Sequence, residues 1–427
     1  MIKLVCELKQ QTPMIHFQSK EPGACLRATE VKPKLDRFIR ENEKNIPDGW
    51  FIEQRESERK KKGCYALNYK MRFRARGNCD EGCRRGRINR SYFGNQGENS
   101  QKKEQVLYKE GIELTILCFI PGLMIALQKY LEAFFVLHNF GTRQNKGFGS
   151  FVVSRMGDTD IKYNEKNYID VVKPYLPYGI CYHYQEKERI ESNCGNVVLE
   201  DIRVISGLMK SGFNLTKIDG KRFRKDYFKG YIFRYFMDRC PEYINDKKYI
   251  KENLLFKNVL TGAAEKISDD PGEKEGVFCR AVLGLSPTYL YSKGKYTGEV
   301  KVENEAEEEK QKISRFPSPI LWTVAGRYLL GIPDEKSISE ILNKRFCFTD
   351  SYGNRCYIAT PEFFNMHDFI VSFVRDFNDK ETPKGGAIGL RNAENSAFSR
   401  VKSIELNIFE GEEANGYVLR DYDWSCF

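Results

Sequence analysis

Apolar residues over the first 156 positions change their spacing in a set order, and that order limits the fold more than any other feature of the chain. Lys3 to Leu8 alternate with period two, the mark of a strand with one buried face. Val31, Leu35 and Phe38 then fall at helical spacing over Glu30 to Asn42, with Thr29 placed to cap the helix. Residues 65–75 alternate again, and 107–120 alternate before ending wholly apolar. Residues 122–138 read as a helix, and Phe148 to Ser154 as a strand. The order β, α, β, β, α, β predicts an α+β fold, a ferredoxin-like (RRM-like) domain with an antiparallel four-stranded sheet backed by two helices.

Later signals are weaker. Helices fit Asn196 to Met209, Phe223 to Met237, 335–344 and 361–377, and strands fit 277–285, 317–325 and 401–409. The expected division is an N-terminal domain over 1–156, carrying a basic insertion at 77–104, and a second, diverged copy over 157–427, interrupted by a helical insertion at about 195–260. A chain of 427 residues suits this number of domains.

The formal charge is 69 − 59 = +10, and it is unevenly placed. Between Arg55 and Arg90 there are 13 Lys and Arg against four Asp and Glu, 13 − 4 = +9. Glu303, Glu305, Glu307, Glu308 and Glu309 form the opposite extreme, an exposed acidic loop or linker. Apolar residues make up 41% and charged residues 30%, which excludes a disordered chain and leaves room for a sizeable core. Charges interrupt the N-terminal stretch before any secretory core can form, and 13 scattered cysteines without a signal point to a reducing cytoplasm. Lys129, Glu132 and Pro121 break up the apolar stretch Ile112 to Phe140, so no membrane span is expected.

Three segments carry candidate chemistry. Lys70, Arg72, Arg74 and Arg76 alternate with Met71, Phe73 and Ala75, putting four cations on one strand face, where a polyanion such as RNA would offset their repulsion. The bland alternative is a solvated outer face. Between a helix end and a strand, Gly141-Thr142-Arg143-Gln144-Asn145-Lys146-Gly147-Phe148-Gly149-Ser150 places Arg143 and Lys146 on a glycine-rich turn whose N–H groups could cradle a phosphate. The alternative is a helix C-cap followed by a hairpin turn. Arg27, Lys32, Lys34 and Arg37 crowd a helix start, as an anion site or as a solvated helix face. Catalysis has only His16, as a general base, and Asp36, as a metal or 2′-OH partner; Asp36 also suits ion pairs with Lys32 and Arg37. Cys79 with Cys83, and Cys181 with His183 and Cys194, lack a full zinc signature, so no metal and no cofactor is expected.

A Thr12-Pro13 step after the first strand, the Arg27-Ala28-Thr29-Glu30-Val31-Lys32 helix start and the Lys146-Gly147-Phe148-Gly149-Ser150 loop together resemble the RAMP superfamily of CRISPR-associated proteins. The pattern is closest to the large first RAMP subunit of Cmr-type, type III effector complexes. Arg280-Ala281-Val282-Leu283-Gly284-Leu285 and Arg315-Phe316-Pro317-Ser318-Pro319-Ile320 are similar in kind. The usual first glycine of the loop is Asn139 here. The resemblance implies a subunit of a cytoplasmic antiviral ribonucleoprotein. It would bind guide RNA, or guide–target duplex, by its phosphate backbone beside other CRISPR effector subunits. The expected RNA-binding residues are Arg27, Lys32, Lys34, Lys70, Arg72, Arg74, Arg76, Gly141, Arg143, Lys146, Gly147 and Gly149, lining one groove. An endoribonuclease of the same fold, or a subunit whose basic surface docks an acidic protein, are the alternatives.

Overall fold

The computed structural model describes residues 1–15, 25–52, 66–76, 83–87, 104–185, 196–219, 222–240, 244–255, 276–293, 296–305, 312–379 and 401–411. The chain is mixed α+β with several mainly antiparallel sheets. It divides into two compact units. The first comprises Met1–Ile202, Trp322–Ile332 and Phe409–Val418; the second comprises Arg203–Leu321, Pro333–Ile408 and Leu419–Phe427.

The first unit is built on strand β1 (Ile2–Gln10), helix α1 (Ala28–Asn42), strands β2 (Tyr69–Ala75) and β3 (Ile112–Cys118), helix α2 (Pro121–Leu137) and strand β4 (Phe151–Met156). In the sheet these strands lie in the order β2-β3-β1-β4, every pair antiparallel, with a short strand Thr159–Asp160 beyond β4. Period-two alternation divides the sheet into two faces. Leu4, Cys6, Leu8, Ile112, Leu114, Ile116, Cys118 and Tyr69 are buried on one face. The apolar sides of α1 (Val31, Leu35, Phe38, Ile39) and of α2 pack on that face. Lys3, Val5, Glu7, Glu113, Thr115, Leu117, Lys70, Arg72 and Arg74 occupy the other, which is half-open or exposed. The helix begins earlier than the sequence predicts: Arg27, not Thr29, sits at its N-cap, and no side chain caps it.

Part of the expected basic loop at 77–104 is regular. Cys83–Arg87 is a strand paired antiparallel with Glu104–Tyr108, which in turn pairs with Met14–Ile15. These form a three-stranded sheet, and a four-stranded sheet, most of whose residues fall in this unit, joins Ile320–Ala325, Tyr328–Pro333, Tyr178–His183 and Asn407–Glu410.

The second unit has a six-stranded sheet in the order Ile244–Asn245, Gly276–Val277, Arg355–Ala359, Arg345–Asp350, Tyr296–Asn304, Thr288–Lys293. Helices Tyr231–Arg239 and Met366–Asn378 pack together through Tyr231, Tyr235, Phe369 and Phe373. Phe223 to Met237 is not one helix. Arg222–Phe228 is a strand of a hairpin with Phe213–Asp219, and the helix starts only after Gly230. Stretch 277–285 is a two-residue strand followed by a 3-10 turn at Cys279–Leu283. No helix among the described residues is long and apolar enough to cross a membrane.

Candidate nucleic-acid interface

The glycine-rich turn follows α2 and is tied down on every side. Thr12 donates its hydroxyl to the Gly147 carbonyl (2.6 Å) and accepts from the Ser150 N–H (3.0 Å). Asn139 is buried, and its amide is fully used. Its Nδ2 donates to the carbonyls of Gln144 and Trp322, both at 2.7 Å, and its Oδ1 accepts from Ser150 (2.9 Å) and Thr323 (3.0 Å). Glu30 of α1 accepts from the Gly141 N–H at 2.9 Å, and Lys34 reaches Gln144 Oε1 at 2.9 Å and the Asn139 carbonyl at 3.1 Å. Burial against the loop pulls the Lys34 ammonium below its usual pKa, while Glu30 opposes that shift.

These bonds correct one expectation. The N–H groups of Gly141, Gly147 and Gly149 do not face an open cradle; they donate to Glu30 Oε1, to the Gln144 carbonyl (3.2 Å) and to the Pro13 carbonyl (3.0 Å). The glycines are required for packing. Gly149 has φ +74°, and a Cβ there would lie 1.9 Å from the Phe140 carbonyl oxygen. Arg143 also takes a left-handed backbone, φ +63°. Lys146 is exposed and bridges Trp322 through its backbone. Of the two cations on the turn, Lys146 is exposed and Arg143 is half-buried. Arg27 lies at the adjoining helix start.

Lys32 does not face solution as a free cation. Its Nζ donates to Asp36 Oδ2 and to the Leu67 carbonyl, each at 2.8 Å, and sits 4.2 Å above the Tyr69 ring. Asp36 is 5% exposed and also accepts from the Leu67 N–H at 3.2 Å, so it braces the start of β2 against α1 and is closed to a substrate. His16, the other catalytic candidate, lies outside the described residues.

The cation row of β2 lies on the opposite side of the sheet. Lys70, Arg72 and Arg74 are exposed and, among the described residues, form no ion pair. Arg76 differs: it holds Glu7 at 2.6 Å and Glu113 at 4.0 Å, and Arg155 adds a contact to Glu7 at 3.6 Å. The single groove expected from sequence is thus not formed. Lys32 and Lys34 belong to the helix-covered side, and Lys70, Arg72 and Arg74 to the open face. Register alone could have separated them, since the buried partners of β2 fix which face the helices cover.

Among the described residues no group of three or more His, Cys, Asp or Glu could hold a metal ion. Cys181 is buried, its thiol pushed up to about 11 by burial, whereas His183 is exposed against the Tyr328 ring. Cys79 and Cys194 lie outside the described residues, and Cys83 opens a strand.

Two family models match the chain: a Cmr1 N-terminal domain over residues 1–213 and a Cmr1 C-terminal domain over residues 227–395. No curated protein matches it. Among solved structures, apo Cmr1 from Pyrococcus furiosus is 10% identical, covering 78% of this chain and 88% of its own, with a TM-score of 0.34. A RAMP protein described as binding different RNA substrates is 12% identical, covering 84% and 100%, with a TM-score of 0.18.

Proposed function

The chain belongs to the Cmr1 family, and from that premise we propose that it is an RNA-binding RAMP subunit of a type III CRISPR ribonucleoprotein, acting in antiviral defence in the cytoplasm. It contacts guide RNA, or the guide–target duplex, through the phosphate backbone, beside other subunits of the effector complex. The observation that carries this reading is the exposed row of Lys70, Arg72 and Arg74, which among the described residues forms no ion pair, on the sheet face opposite the helices. Three cations held in line repel one another unless an anion lies across them, and a phosphodiester chain supplies evenly spaced anions. Arg27, Arg143 and Lys146 would form a separate contact at the glycine-rich turn, with Gly141, Gly147 and Gly149 shaping it and Lys34 fixing it to α1.

Within this reading residues 1–156 form a ferredoxin-like RAMP domain, supported by the strand order β2-β3-β1-β4 with two crossover helices. The basic stretch 77–104 is its insertion. Residues 157–427 would be a diverged counterpart with an insertion at about 195–260, although its larger sheet runs in a different order.

Purification of the full chain at low salt tests the proposal. It should carry RNA that ribonuclease removes and that high salt strips. Protein that emerges free of nucleic acid and takes up none of several RNAs at low salt contradicts it.

A further inference from the structure

Resting on the RNA-binding reading, we propose that the open face of the first sheet is a site for single-stranded RNA, in which Lys70, Arg72 and Arg74 hold three successive phosphates and Phe119 stacks an unpaired base at the end of the row. Residues at i and i+2 of a strand stand about 7 Å apart, so the row spans about 14 Å. That step is similar to the one between neighbouring phosphates of an extended strand.

The two ends of the row differ. Across the sheet from Arg74 lie Glu113 and then Glu7, in register. Arg76 and Arg155 pair with these acids, so Arg76 is not part of the site and Arg74 is the last cation of the row. The middle of the face is uncharged, with Thr115 opposite Arg72 and Val5 beyond it. Opposite Lys70 lie Leu117 and then Lys3, which is exposed and adds a fourth cation at the open end.

Phe119 belongs to that open end. It follows Cys118, whose register partners are Tyr69 on one side and Ile2 on the other, and it is 74% exposed. A cation track leading to an accessible aromatic ring is the chemistry of single-strand binding, because stacking needs a base that is not already paired. Every base has a π-face and the cations touch only phosphate, so the site does not read sequence.

The test uses the full chain and labelled short single-stranded and duplex RNAs, with binding followed by fluorescence anisotropy across a salt series. Lys70→Ala/Arg72→Ala/Arg74→Ala should flatten the log affinity–log salt slope by about two, from three contacts at about 0.7 each. Lys70→Ala and Arg72→Ala alone, at exposed positions, should each flatten it by about 0.7. Phe119→Ala should weaken single-strand binding about tenfold with the slope unchanged and duplex binding unaffected. Tyr352→Ala, which removes a 90% exposed ring from the second unit, should change nothing. Homopolymers of different base should bind within a few-fold of one another. If wild type binds RNA but the Lys and Arg variants bind like it, this site is wrong and the RNA reading stands on other residues. A silent Phe119→Ala, or duplex bound as tightly as single strand, overturns the single-strand assignment. If wild type binds no RNA at low salt, the RNA reading falls and an acidic protein becomes the partner to seek.

Discussion

The side-chain amide of Asn139 donates to the carbonyl of Trp322 at 2.7 Å across 183 residues of sequence. With its bonds to Gln144, Ser150 and Thr323, this makes Asn139 the fastener between the glycine-rich turn and the strand Ile320–Ala325. Replacing it strands buried donors and acceptors that cannot reach water. Asn139→Ala, and equally Asn139→Gly, should cost about 2 kcal/mol or more, read as a lower urea midpoint with an unchanged m-value. A cost below about 0.5 kcal/mol would mean the network is optional.

Gly149 and Gly157 both have positive φ, but only one is enclosed. A Cβ at Gly149 meets the Phe140 backbone, whereas one at Gly157 meets nothing within 4 Å. Gly157→Ala should therefore cost only the left-handed penalty, about 1–2 kcal/mol. Gly149→Ala should cost more than about 4 kcal/mol and move the turn. Thermal melts of the pair check the ranking.

The sequence made the alternation of β1, β2 and β3 and the row Lys70-Arg72-Arg74 legible, because period two survives wherever one face is buried. It did not reveal that the glycine N–H groups are used internally. A turn glycine reads the same whether its donor faces Pro13 or a phosphate. Phe223, Tyr227 and Tyr231 stand four apart and imitate a helix, but the alternating Arg222-Phe223-Arg224 pattern forms a hairpin and Gly230 restarts the chain. Asp36 was legible as the partner of Lys32, because that pair is local. Its bond to Leu67, 31 residues away, was not.

His138 follows α2 with its Nδ1 donating to the Phe134 carbonyl at 2.9 Å and its ring packed between Phe38 and Phe134. Burial lowers its pKa to about 4; the Phe134 carbonyl opposes the shift, and Lys34 and Arg37 add to it. Above about pH 6.5 the ring is neutral in folded and unfolded chains alike, and its contribution is fully present. As pH falls from there to about 4, only the unfolded chain takes up the proton, and stability drops by on the order of 2 kcal/mol. Urea midpoints measured across that window should fall more steeply for wild type than for His138→Gln.

In the second unit Arg280 and Asp246 form a buried pair at 2.7 Å, with Arg280 also donating to Tyr291 at 2.8 Å. Removing one partner leaves a charge without compensation. Asp246→Ala or Arg280→Ala should each cost about 3–5 kcal/mol, and Asp246→Leu/Arg280→Met should recover much of it. A double-mutant cycle by chemical denaturation reads the coupling. Additive costs would contradict it.

The salt dependence of RNA binding by the intact wild-type chain tests the central claim most directly. Phosphate contacts release counter-ions, so affinity should fall linearly on a log–log plot with a slope of about −2 or steeper. A flat plot, or no binding at the lowest salt, would contradict the account.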